Sequence, residues 1–189
     1  MVEAEKDPWA NDSWVEIFGD KLLRGGKDKD GKDEIIEKPT EEALAEGADV
    51  EFYAIYFGGH WSPPDRLMKK RVNDAKKDSN GVLEVIFVSQ DIDADHFGRN
   101  YMGIDMGEAE QHYRDYPAIQ ALTIPFEDEQ KRKDLMQRYG VEHIPSIAIV
   151  DKKRTTLECD AIKRLEQFDH WREVAKEIYA PIEEPKKAE

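Results

Sequence analysis

Residues 51–68 read EFYAIYFGGHWSPPDRLM, and this stretch decides the fold. EFYAIYF at 51–57 is a nearly continuous β-favouring run, the pattern of a strand covered on both faces. Ser62-Pro63-Pro64-Asp65 then opens a helix: serine is among the best N-caps, and proline is favoured in the first helical turn. An acid three residues after the serine completes a Ser-x-x-Asp variant of the capping box. Leu67, Met68, Val72 and Ala75 follow at helical spacing, and the DSNG run at 78–81 stops the helix.

LEVIFVS at 83–89 repeats the character of the first strand, so the two form a strand, helix, strand unit of crossover length. Further on, residues 94–117 mix glycine, acids and aromatics, and QALTIPF leads to a helix at about 128–139 stopped by Gly140. SIAIV at 146–150 and TTLEC at 155–159 read as strands joined by the charged turn DKKR. An amphipathic segment at about 165–179 closes the unit. Upstream, Trp14, Ile17 and Phe18 share one face of a helical turn capped by Asp12 or Ser13. Lys21–Arg24 and Glu34–Lys38 flank the glycine- and aspartate-rich GGKDKDGKD and form a β-hairpin. PTEEALAEGADV at 39–50 reads as a polar connection. The expected organisation is one domain over 12–180 between flexible tails at 1–11 and 181–189.

The chain of 189 residues carries 42 acidic and 28 basic side chains, a formal charge of −14. Such a surface disfavours nucleic acid and anionic membranes, so protein partners are expected. The first residues lack a secretory or transit pattern and no apolar run reaches membrane-spanning length, which predicts a cytoplasmic protein. The single cysteine, Cys159, excludes an intramolecular disulfide.

FYAIYFGGHWSPPDRLM, LEVIFVSQDIDADHFGRNY, QALTIPF and LMQRYGVEHIPSIAIVD occur in that order, and together they resemble the tryparedoxin and nucleoredoxin type of thioredoxin-like protein. The resemblance covers about residues 14–160. It implies an α/β thioredoxin-like fold, with a central mixed sheet flanked by helices and an N-terminal hairpin. It also implies a cis Ile144-Pro145 bond beside the motif. The family's motif is Trp-Cys-Pro-Pro-Cys; here Trp61-Ser62-Pro63-Pro64-Asp65 has lost both sulfurs, and GIDMGEAEQHYRDY at 103–116 reads as an insertion.

Dithiol exchange needs a thiolate to attack and a second thiol to resolve the mixed disulfide. Ser62 and Asp65 supply neither, so no catalytic residue is expected there. A rival reading pairs Ser62 or Asp65 with His60 or His143 as nucleophile and base or as a metal site. The five histidines are dispersed, in no HxxxH, HExxH or Cys/His cluster, so neither metal nor cofactor is expected. DIDAD at 91–95 fails the calcium-loop pattern at positions six and twelve and reads as a solvated turn; DKDG at 28–31 reads as the hairpin tip.

What survives the loss of sulfur is a surface. Trp61, Ile144 and Pro145 are the candidate peptide-binding groove, with strand-like pairing to the backbone at Ile144; the alternative is that Trp61 is half-buried packing and Pro145 only a turn. Tyr101, Met102, His112, Tyr113 and Tyr116 make the insertion rich in large side chains, which reads either as a rival contact surface or as a local mini-core. Cys159 is expected as a small buried group in a strand, with a reactive thiol as the alternative. The expected function is a redox-inactive interaction or structural subunit of a larger assembly, with a cytoskeletal or ciliary one as a candidate setting. The alternatives are a residual thiol oxidoreductase through Cys159 and a chaperone-like peptide binder.

Overall fold

A computed structural model describes residue 9 and residues 11–47, 49–103 and 117–180. Seven strands form one sheet in the order β2-β1-β5-β4-β3-β6-β7. At its centre β3 (Phe52–Gly58) runs parallel to β4 (Leu83–Ser89), which runs parallel to the short β5 (Leu122–Thr123). β6 (Ser146–Asp151) lies antiparallel to β3, and β7 (Thr156–Glu158) antiparallel to β6. The hairpin β1 (Lys21–Lys27) and β2 (Asp33–Pro39) joins through an antiparallel β1–β5 contact.

Every residue of β3 and β4 is buried, because helices cover both faces of the sheet. Side chains alternate sides along a strand. Tyr53, Ile55 and Phe57 therefore join one apolar cluster with α1 (Trp14–Phe18), α2 (Thr40–Ala45) and α5 (Glu129–Arg138). Phe52, Ala54 and Tyr56 join the other with α3 (Pro63–Asp78), α4 (Ala94–Met102) and α6 (Phe168–Tyr179). Ser13 caps α1 in a full capping box with Glu16. Gly140 adopts φ +62° just past α5, as a helix stop requires.

Three expectations change here. The polar connection at 39–50 contains α2, whose glutamates face water while Thr40, Ala43 and Leu44 are buried. Leu67 is 80 % exposed; the buried stripe of α3 is Asp65, Lys69, Val72, Asn73 and Ala75. DIDAD is not a solvated turn: Asp91 is buried, and Asp93 caps α4 by accepting from the His96 N–H at 2.8 Å. Of the tails expected at 1–11 and 181–189, residues 1–8, 10 and 181–189 lie outside the described residues, as do His112, Tyr113 and Tyr116 of the insertion; Tyr101 is buried and Met102 packs against the core, so Tyr101 belongs to the interior and not to a contact surface. No described helix is long and apolar enough to cross a membrane.

Candidate functional site

Sheet register brings three segments to one end of the sheet. The Gly59–Asp65 segment follows β3; Gln90 and Asp91 follow β4, whose Ser89 pairs with Gly58; and Pro145 leads into β6, whose Ser146 pairs with Phe57. The Ile144-Pro145 bond is cis. Trp61 is 53 % exposed, and its indole N–H donates to the Gln90 carbonyl at 2.8 Å. A Cβ on Gly59 would meet that indole nitrogen at 2.8 Å, so glycine is what lets the ring fold back. Ile144 is partly buried against the core.

Ser62 holds the N-cap position of α3, but its side chain makes no cap hydrogen bond. Only backbone closes the turn, with the Asp65 N–H donating to the Ser62 carbonyl at 3.1 Å. The expected Ser-x-x-Asp cap is therefore not formed: the first turn carries Asp65 inward, into the space between α3 and β3. There it accepts a short hydrogen bond from the Tyr56 hydroxyl, and both residues are wholly buried. A Cβ on Gly58 would lie 2.5 Å from Asp65 Oδ1, so the carboxyl occupies room that only glycine leaves.

Behind Asp65 runs a buried polar chain. One helical turn on, the Lys69 ammonium donates to both the backbone and side-chain oxygens of Asn100 at 2.9 Å. Asn100 Nδ2 donates to Asp91 Oδ2 at 2.9 Å, which the Ser89 hydroxyl also reaches at 2.8 Å; the His60 N–H donates to Asp91 Oδ1 at 2.7 Å. Burial pushes the Asp65 carboxyl up to about 7, although the Tyr56 hydrogen bond and the Lys69 charge oppose it. Burial likewise lowers the Lys69 ammonium to about 8 against the pull of Asp65 and Asp91. The Tyr56 phenol is driven well above its ordinary value, by burial first and then by the Asp65 charge.

Chemically, this is a proton-holding core under a half-exposed tryptophan, with no sulfur at either flank of the two prolines. Ser62 is only 4 % exposed, which shields a nucleophile, and His143 is exposed. His60 is partly buried, which lowers its imidazole. Among the described residues no three His, Cys, Asp or Glu side chains are placed to hold a metal ion. Cys159 is exposed, contrary to the buried-strand expectation. Its strand, β7, makes an irregular edge pairing with β6 and ends at Glu158, leaving the cysteine beyond the sheet. Sequence reading missed Tyr56, Gly58, Lys69, Asp91 and Asn100. A usable signal was the four-residue spacing of Asp65 and Lys69, which puts both on the sheet-facing side of α3.

Residues 50–156 match the model of the thioredoxin-like family. Nucleoredoxin from Danio rerio is 25% identical over 147 residues, 76% of this chain and 28% of the relative; the human protein is 26% identical with 27% of its length covered. The chain thus spans little more than a quarter of these relatives. Among solved structures, tryparedoxin II from C. fasciculata superposes with a TM-score of 0.61 at 20% identity, covering 83% of this chain and 88% of that one. A thioredoxin from Wuchereria bancrofti gives 0.55 at 18%, covering 82% and 96%.

Proposed function

The chain belongs to the thioredoxin-like family, and on that premise we propose that it is a member without dithiol exchange, acting as a protein-interaction or structural subunit of a larger assembly. One observation carries this reading. At the second motif position stands a carboxyl rather than a thiol, fully buried and hydrogen-bonded to Tyr56. A carboxylate cannot resolve a mixed disulfide, and Ser62 cannot form one. The segment has become part of the packed interior, while Trp61 above it stays half-exposed at the sheet end that also carries the cis Ile144-Pro145 bond. Those features suit docking of an extended peptide with no chemistry following.

The test is affinity purification of the tagged chain from its own cells, beside a Trp61→Ala/Ile144→Asp variant, with cytosolic and cytoskeletal or ciliary fractions taken separately. A stable complex lost in the variant supports the groove. A complex retained by both moves the contact elsewhere on the chain, and recovery of monomer alone overturns the subunit reading.

The exposure of Cys159 favours one second reading, a residual single-thiol redox protein or chaperone-like binder. The redox form predicts insulin-disulfide reduction that Cys159→Ser abolishes, whereas the chaperone-like binder needs no thiol and predicts holding of unfolded peptide that Cys159→Ser leaves intact.

A further inference from the structure

The sheet ends on two different edges. β7 is three residues long and its pairing with β6 is irregular, features that keep an edge from recruiting another strand. β2, at the opposite edge, pairs with β1 in unbroken register over Asp33–Pro39, and every residue of it except Lys38 is exposed. Ile35 and Ile36, 41 % and 36 % exposed, stand at its middle, one on each face of the sheet.

The register says which backbone groups of β2 are open. The Asp28 N–H donates to the Lys32 carbonyl at 2.8 Å, so every second pair from there, Gly26–Glu34, Arg24–Ile36 and Leu22–Lys38, exchanges the hairpin's hydrogen bonds. Gly25 agrees, sending its N–H away from β2 to the Tyr101 hydroxyl at 3.0 Å. The N–H and C=O groups of Asp33, Ile35 and Glu37 therefore point outward, and among the described residues nothing pairs with them. The side-chain charges are used differently. Glu37 pairs with Lys21 at 2.6 Å and Asp33 with Lys27, both inside the hairpin, and Lys38 pairs with Glu46. Glu34 is the one charge of β2 without an ion-pair partner among the described residues. Residues 21–39 carry six basic and five acidic side chains, so the charge of −14 resides elsewhere and two copies can approach along this edge with little of its repulsion.

We propose that the chain forms a two-fold dimer by antiparallel pairing of β2 with β2 of a second copy, centred on Ile36. In that register Ile35 and Glu37 of each copy exchange backbone hydrogen bonds with Glu37 and Ile35 of the other, through the groups left open. Ile36 meets its own counterpart in a non-hydrogen-bonded pair, where side chains come closest. Glu34 falls directly opposite Lys38 of the second copy, twice by symmetry, and an ammonium already holding Glu46 keeps further donors for it. Centring the pairing on Ile35 instead would set Asp33 against Glu37 and Lys32 against Lys38, like charge against like. Each chain presents one such edge, so the pairing closes at two copies. The inference goes beyond the groove reading and is independent of it, since three strands separate β2 from β3, the strand that leads to Trp61.

Sedimentation equilibrium of the full chain, from low micromolar to submillimolar concentration, is expected to show a monomer–dimer equilibrium. Glu34→Lys and Lys38→Glu each set like charges opposite one another at two places, and each should raise the dimer dissociation constant at least about tenfold, as should Ile36→Asp. An equimolar mixture of the Glu34→Lys and Lys38→Glu chains should recover the dimer, because each altered residue then faces the opposite charge. Neither misfolding nor loss of the Lys38 contact with Glu46 can produce that rescue, and circular dichroism confirms that each variant is folded. A chain that stays monomeric throughout overturns the proposal while leaving the groove at Trp61 untouched. A dimer that Ile36→Asp leaves intact, growth beyond two copies, or no recovery in the mixture overturns it as well.

Discussion

Tyr56 on β3 donates its hydroxyl proton to the carboxyl of Asp65 in the first turn of α3, and neither side chain touches solvent. This single contact joins the central strand to the helix that follows the altered motif. It places a titratable group where the family's motif carries its second cysteine.

Tyr56→Phe removes the hydroxyl donor from the buried Asp65 carboxyl. We expect a loss of about 1.5–3 kcal/mol, the range for a hydrogen bond to a charged group. The loss should be larger at pH 8, where the carboxyl is ionised, than at pH 5. Urea denaturation at both values measures it.

Asp65 and Lys69 together predict a stability minimum near pH 7–8. The Asp65 carboxyl holds its proton up to about 7 in the fold but only to its ordinary 3.8 in the unfolded chain. The native state thus binds more protons between these values, and this group's contribution falls as pH rises from about 4 to 7. Lys69 releases its proton at about 8 when folded and at 10.5 when unfolded, so its contribution rises again above pH 8. Asp65→Asn should flatten the acid limb, and Lys69→Met the alkaline one, in melting temperatures recorded from pH 5 to 10. A variant curve parallel to the parent's would contradict the assignment.

Gly58→Ala should destabilise by about 1–3 kcal/mol, because the added methyl meets a carboxyl that cannot move away from Tyr56. Asp65→Ser shortens that side chain and should recover part of the loss. A double-mutant cycle by chemical denaturation should therefore show non-additivity of at least about 0.5 kcal/mol.

Cys159→Ser should change stability by less than about 0.5 kcal/mol, since the residue is exposed beyond the end of an edge strand. The native thiol should alkylate with iodoacetamide nearly as fast as in urea, read by intact mass.

The fold was legible because EFYAIYF and LEVIFVS are apolar on both faces and the prolines mark the start of α3. The cis Ile144-Pro145 bond came from the family resemblance and is present. The motif was legible as lacking sulfur but not as a buried site. Ser-x-x-Asp is equally the spacing of a cap and of a carboxyl aimed at the sheet; Gly58 and Tyr56 choose between them, and both act across the β3–α3 interface rather than along the chain. Lys69 was missed for the same reason. An apolar Leu67 seemed the better core residue, yet it faces outward while the polar pair Asp65 and Lys69 faces inward. Cys159 misled because β7 stops one residue short of it.

The most direct test of the account is insulin-disulfide reduction in the presence of dithiothreitol, comparing the parent chain with Ser62→Cys/Asp65→Cys. The parent should run at the uncatalysed rate while the double variant, given back both sulfurs on the same helix, should exceed it. Reduction by the parent above background would contradict the claim that this thioredoxin-like chain has exchanged redox chemistry for binding.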